Sequence, residues 1–151
     1  MATIPPHAIL APTDLSEHSR PAVKAAFQLA EHFGAELHLL HVLADVVPIG
    51  PDPTLISVMP PEFYTESEQK SLDTLNQFVH PDWPQPRSLV KAVVWGNAVE
   101  AIVEYARDHP IDLIVISTHG RTGLSHVLLG SVAERIVREA PCPVMTIRSQ
   151  T

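Results

Sequence analysis

The strongest constraint on the fold is a repeated change of rhythm, in which short apolar runs with no polar interruption alternate with stretches of helical spacing. Leu113-Ile114-Val115-Ile116 is the clearest run. A strand apolar at every position has both faces covered, and that is the signature of a parallel sheet between helical layers. Ala8-Ile9-Leu10-Ala11, Leu37 to Val42, Leu89 to Val94 and Val144 to Ile147 read the same way. Between these runs, helices are predicted from about Ser19 to Gly34 and from Glu62 to Val79. Two more run from Asn97 to His109 and from Ser131 to about Ala140.

Local chemistry supports each helix. Val23, Phe27, Ala30 and Phe33 fall on one face of the first, Ser19 is placed to cap its start, Pro21 suits its first turn, and Gly34 suits its end. The second should bury Leu72, Leu75 and Val79. Asn97 with Glu100, and Ser131 with Glu134, have capping-box spacing. Prolines 48, 51, 53, 60 and 61 exclude regular structure between Leu43 and Pro61, so a long loop is expected there.

Five strands alternating with four helices predict an α/β fold: an open parallel sheet with right-handed crossovers and helices on both faces. At 151 residues and 45% hydrophobic, the chain is expected to form one domain over residues 1–151 with no need of a metal or disulfide. Cys142 is the single cysteine and is expected as a buried, inert thiol. With no leader segment and no apolar run near the roughly 20 residues that span a bilayer, a cytoplasmic location without membrane contact is expected.

Ten basic against 17 acidic residues give a net charge of −7, which disfavours nucleic acid as a partner. A single small anion is compatible with that charge, because backbone N–H groups at a helix start bind it locally. The nine histidines show no metal-ligand spacing. His38 and His41, three apart on a strand, point to opposite faces, so scattered and partly exposed histidines with no metal site are expected.

Open parallel sheets bind ligands beyond the carboxyl ends of their strands, where the winding direction reverses. In the strand order 3-2-1-4-5, Asp14 and the segment from Ser117 to Ser131 would face each other across one crevice. No G-x-G-x-x-G follows the first strand and no G-x-x-x-x-G-K-[ST] occurs, so neither a dinucleotide fold nor a Walker-type loop is indicated. A phosphoacceptor receiver would want paired acids near Asp14 and a lysine after the last strand, and both are missing.

The segment ISTHGRTGLSHVLLGSVAERIV, Ile116 to Val137, resembles the nucleotide-binding signature of the universal stress protein family, G-x2-G-x9-G-[ST]. Gly120, Gly130 and Ser131 fit its spacing, while Ser117 stands where the motif has its first glycine. The likeness extends through PTDLS at Pro12 to Ser16, His41-Val42, the Gly96 turn and the closing CPVMTI. A Cβ at position 117 is expected to add steric cost if the backbone there needs positive φ or close approach to a ribose.

The resemblance implies an adenine nucleotide alpha hydrolase-like, Rossmann-like fold that binds ATP, or AMP or ADP, with Mg²⁺ as a companion of the phosphates. By position, Asp14 would hold the ribose, Val42 would recognise the adenine edge through its backbone, and Pro12 and Thr13 would frame base and sugar. Ile116 and Ser117 would close the other side. Gly120, Gly130, Ser131 and Val132 would meet the phosphates. His119, Arg121 and His126 sit in the same loop, where they suit either phosphate contact or a solvated basic loop. Asp14 also suits a plain turn residue, and Ser131 a helix cap.

A homodimer through the edge strand Val144 to Ile147 is implied too, as an apolar, uncharged edge invites pairing. The function implied is a nucleotide-responsive stress regulator with no catalytic residues. The alternatives are a slow ATP hydrolase, with His119 orienting water, and a dimeric scaffold without nucleotide.

Overall fold

The computed structural model describes residues 3–45, 59–119 and 129–149. The expectations for Gly120, Arg121, His126 and most of the proline-rich loop lie outside these residues. The strands are β1 (Ala8–Pro12), β2 (Glu36–Leu43), β3 (Ser88–Trp95), β4 (Leu113–Ser117) and β5 (Val144–Ile147). The helices are α1 (Arg20–Phe33), α2 (Pro61–Phe78), α3 (Ala98–Asp108) and α4 (Ser131–Glu139). All pairings are parallel, and the strands lie in the order β3-β2-β1-β4-β5.

Alternation along the central strands divides the core in two. Ile9, Ala11, Leu37, Leu39 and Val115 face α1 and α2, where they meet Val23, Phe27 and Leu75. Ala8, Leu10, Leu40, Ile114 and Ile116 face α3 and α4, where they meet Val99, Ile102, Val103 and Ile136. Leu10, Leu37, Leu39, Leu40 and Ile114 are fully buried. Their runs are apolar throughout because each face has a helical layer of its own.

Several local expectations give way to tertiary structure. Phe33 is 41% exposed, resting edge-on against His32 at 5.0 Å, so the buried face of α1 ends at Ala30. Gly34 closes α1 as expected, at φ 65°, with its N–H bonded to the carbonyls of Ala30 and Glu31. Val79 lies just past α2 in extended conformation, and Phe78 is buried in its stead. Trp83, in the proline-punctuated turn, is 8% exposed with its ring 5.4 Å from Phe27.

Two of the three expected side-chain caps are not made. Ser19 ends a 3-10 turn, Glu17–Ser19, and makes no side-chain cap. Gly130, not Ser131, is the N-cap of α4, and Ser131 is that helix's first residue. Asn97 does cap α3, its side chain accepting from the N–H groups of Val99 and Glu100.

Candidate functional site

The chain winds outward from β1 through β2 to β3, then returns to place β4 on the other side of β1. The loops leaving β1 and β4 therefore diverge, and a crevice of about 290 Å³ opens beyond the ends of β1, β2 and β4.

One wall is the turn after β1. Leu15 N–H donates to Thr13 Oγ1 (2.9 Å), and Thr13 Oγ1 pairs with Ser19 Oγ (2.7 Å), which itself donates to the Ser16 carbonyl (2.8 Å). The protons run one way along this chain, with Thr13 donating to Ser19; Ser19 has helical φ/ψ (−83°, −16°) in place of the extended backbone of a capping serine, and makes no side-chain cap. Asp14 Oδ1 accepts from Ser16 N–H (3.0 Å) and Ser16 Oγ (2.5 Å), a turn that sets the carboxylate at the crevice. Leu15 takes φ 65°, alone in positive φ among the described non-glycine residues, and diverts the chain from β2.

That diversion opens β2. Its register with β1 ends at Pro12 opposite Leu40, extended by one bond from Thr13 N–H to the Leu40 carbonyl (2.9 Å). Peptide groups two residues apart on a strand point to the same side. Val42 N–H and C=O therefore point, like those of Leu40, toward the space β1 has left. Continuing the ladder would pair Val42 N–H with the Thr13 carbonyl, but buried His41 donates its Nδ1–H to that oxygen (2.9 Å). Leu40 and Val42, Ile116 from β4, and Ala98 and Ile102 from α3 form the apolar lining.

The opposite wall begins at the end of β4. Thr118 N–H donates to the Ile147 carbonyl (3.0 Å), and Gly130 N–H donates to the Thr118 carbonyl (2.6 Å). Gly130 has φ −65°, open to any residue, so its backbone needs no glycine. Its surroundings do: a Cβ there would sit 2.9 Å from the Thr118 carbonyl oxygen. Gly130 supplies no side-chain cap to α4, and the first-turn N–H groups of Ser131, Val132 and Ala133, all lining the crevice, lack intrahelical acceptors. Ser117 is an ordinary strand residue outside positive φ, so the backbone there carries none of the steric cost that positive φ would bring.

Among the described lining residues only Asp14 and His119 are ionisable, and Thr118 Oγ1 lies 2.9 Å from His119 Nδ1. Of the residues singled out by sequence, Pro12, Thr13, Asp14 and Val42 line one side. Ile116, Ser117, His119, Gly130, Ser131 and Val132 line the other. Sequence reading missed Ser19, Leu40, Ala98, Ile102, Thr118 and Ala133. Leu40 was findable, two residues before Val42 on the same strand face, as was Ala98, just past the Gly96 turn.

Elsewhere, His38 and His41 depart from the expected partial exposure and are buried, while His7, His18, His32, His80, His109 and His119 are exposed or half-buried. His38 bonds the Tyr105 hydroxyl through Nδ1 (2.8 Å) and Glu36 through Nε2 (2.7 Å), while Ser88 bonds the other Glu36 oxygen (2.9 Å). The His38 and Ser88 bonds hold the Glu36 carboxyl below its ordinary range. Burial, and then the Glu36 charge, push the Tyr105 hydroxyl up. Burial also raises the half-buried Cys142 thiol. Among the described residues no cluster of three His, Cys, Asp or Glu can hold a metal, and no helix is long and apolar enough to cross a membrane.

The profile described as the Universal stress protein family matches residues 6–148. Universal stress protein MJ0531 of Methanocaldococcus jannaschii is 36% identical over 145 residues, covering 93% of this chain and 81% of that protein. YxiE of Bacillus subtilis is 28% identical over 93% of this chain and 97% of its own length. Among solved structures, universal stress protein UspA from Lactobacillus plantarum superimposes with TM-score 0.73 at 30% identity, over 93% of this chain and 97% of that one. A universal stress protein in complex with cAMP shares the fold at TM-score 0.62 and 22% identity, over 96% of this chain and 98% of its own. The five-stranded sheet with its order reversal at β1, the crevice at that reversal and these likenesses over nearly the whole chain agree: the chain belongs to the universal stress protein family.

Proposed function

We propose that this protein binds ATP or a related adenine nucleotide in the crevice and acts as a nucleotide-responsive regulator, in a homodimer joined through β5. The observation that carries the reading is the pair of unladdered peptide groups of Val42. They offer one donor and one acceptor to a flat heterocycle, between the apolar side chains of the crevice lining. Adenine's edge presents a ring-nitrogen acceptor beside an amino donor and matches that pair. Guanine reverses the order and leaves both peptide groups facing like partners.

The rest of a nucleotide follows the walls. Asp14, steadied by Ser16, accepts from ribose hydroxyls, and Pro12 and Thr13 frame base and sugar on that side. At about 290 Å³ the crevice is at the small end of ligand pockets, a size for base and sugar. The phosphates then lie along the uncapped start of α4, where the N–H groups of Ser131, Val132 and Ala133 and the helix dipole favour negative charge. Mg²⁺ accompanies the phosphates. Gly120 and Arg121 join the phosphate side by their place in the motif. That an adenine nucleotide, cAMP, occupies a family member of the same fold is consistent with this reading.

Binding rather than turnover is the reading, since both ionisable groups described at the crevice are engaged structurally, Asp14 with Ser16 and His119 with Thr118. The test is extraction of the purified protein for adenine nucleotide, with calorimetric titration of ATP and GTP into stripped protein. ATP binding, with GTP weaker by at least about tenfold, is expected. Asp14→Asn keeps the turn to Ser16 but gives up the charge, and should weaken ATP about tenfold. A protein that yields no nucleotide and gives no heat with ATP refutes the proposal.

A further inference from the structure

We infer that Ser117, which replaces the first glycine of the family motif, is a positioning residue that ties the two walls of the crevice at their binding separation. This rests on the nucleotide-binding reading. The Ser117 hydroxyl lies 2.8 Å from the carbonyl oxygen of His18, in the 3-10 turn that follows Asp14. It lies 2.8 Å from the carbonyl oxygen of His119, on the segment leading toward α4, and 3.4 Å from that residue's N–H. Ser117 itself is 7% exposed and fixed in β4 opposite Ile147. One side chain on the rigid sheet thus reaches a backbone carbonyl of each arm.

A hydroxyl has a single proton and donates fully to one carbonyl at a time, yet both oxygens are in reach from one rotamer. Glycine at this position would leave His18 C=O and His119 C=O without that donor, and the arms would close on a ligand only at an ordering cost met during binding. Ser117 moves that ordering into folding. The consequence runs against the motif: Ser117→Gly, which restores the family residue, weakens nucleotide binding.

The experiment measures ATP affinity by calorimetry, thermal stability, and amide exchange of the nucleotide-free protein at Ser19, Thr118 and His119. The set is parent, Ser117→Ala, Ser117→Gly and Ser117→Thr. Expected are Kd values about 3- to 10-fold higher in the Ala and Gly variants, a less favourable binding entropy, faster exchange at those amides, and recovery to within about twofold by Thr. A lower melting temperature with unchanged Kd shows a merely structural role and overturns the proposal. So do Ala or Gly variants that bind as tightly as the parent, or unaltered exchange. If the parent takes no ATP, the functional reading fails, and faster exchange in Ser117→Ala still establishes the tie.

Discussion

Gly130→Ala separates two explanations of a motif glycine. If glycine serves only to let a phosphate approach, alanine should harm binding and spare the free protein. The structure gives another reason: the new Cβ would lie 2.9 Å from the Thr118 carbonyl oxygen, the atom that accepts the Gly130 N–H at 2.6 Å. Relief requires a shift of about 0.5 Å, and Thr118 cannot retreat cheaply because its own N–H is bonded to Ile147 of β5. The start of α4 must move instead, taking the N–H groups of Ser131, Val132 and Ala133 with it.

Overpacking of this kind costs about 1–3 kcal/mol. Weakening the Gly130 hydrogen bond adds about 0.5–1.5 kcal/mol. Alanine's smaller unfolded-state entropy returns about 0.4–1 kcal/mol, because φ −65° suits it. The net destabilisation is about 2 kcal/mol, or roughly 4–8 °C in melting temperature for a chain of this length. Urea and thermal melts of the nucleotide-free protein measure it, and ATP titration should show about tenfold weaker binding. Gly34→Ala is the control: at φ 65° with nothing near its Cβ, it should cost about 1 kcal/mol and leave ATP affinity unchanged. A Gly130→Ala protein within about 0.5 kcal/mol of the parent, binding ATP equally well, refutes the reasoning.

Tyr105→Phe removes the hydroxyl that pairs with His38 Nδ1 and should destabilise by about 1–3 kcal/mol in urea melts without altering ATP affinity. Burial alone would raise the Asp112 carboxyl, but bonds from His7 N–H, the Thr3 hydroxyl and Ala8 N–H outweigh it and hold it below its ordinary range. A carboxyl lowered by folding contributes stability above its unfolded value near 3.8, lost as pH falls through the lower folded value. The stability gap between parent and Asp112→Asn should accordingly be full at pH 6 and narrow on descent below pH 4 (urea melts). The carbonyls of Pro143, just before β5, and of Ile147, at its end, accept from the β4 side, so by alternation the Thr146 peptide faces the open edge. Thr146→Pro should convert a sedimenting dimer to a folded monomer, whereas a monomeric parent or an unaffected dimer refutes pairing through that edge.

The sheet was legible because burial on both faces leaves a period-free apolar run, and the predicted strand boundaries hold to within a residue at each end. The strand order followed from the resemblance and from where crossovers permit a crevice, not from any run by itself. What local pattern could not convey was competition for hydroxyls. Ser19 has a cap's sequence position, but Thr13, six residues away, is its partner once β1 turns. Ser131 has a capping-box spacing, but the approach of Gly130 to Thr118 starts α4 one residue earlier than a serine cap would. Trp83 is hidden by its prolines, which mark a turn and say nothing of its depth.

The same competition explains how the fold keeps a receptive crevice at its switch point. A ladder that continued past Pro12 would bond Val42 to Thr13, and a side-chain cap would satisfy the start of α4. Either change would remove a donor from the crevice. In this chain Leu15 sits in positive φ, His41 occupies the Thr13 carbonyl, and glycine at the N-cap supplies no side-chain oxygen. Positive φ at Leu15 costs about 1–3 kcal/mol and the glycine N-cap a few tenths, while the His41 bond takes the acceptor that Val42 would otherwise use. A ligand at 100 times its Kd adds about 2.7 kcal/mol to the folded state, the same order as the sum forgone. On the proposed reading, nucleotide occupancy would have the leverage to set how firmly the β1 turn and the start of α4 are held, which a regulator needs and a fully satisfied sheet end would not provide.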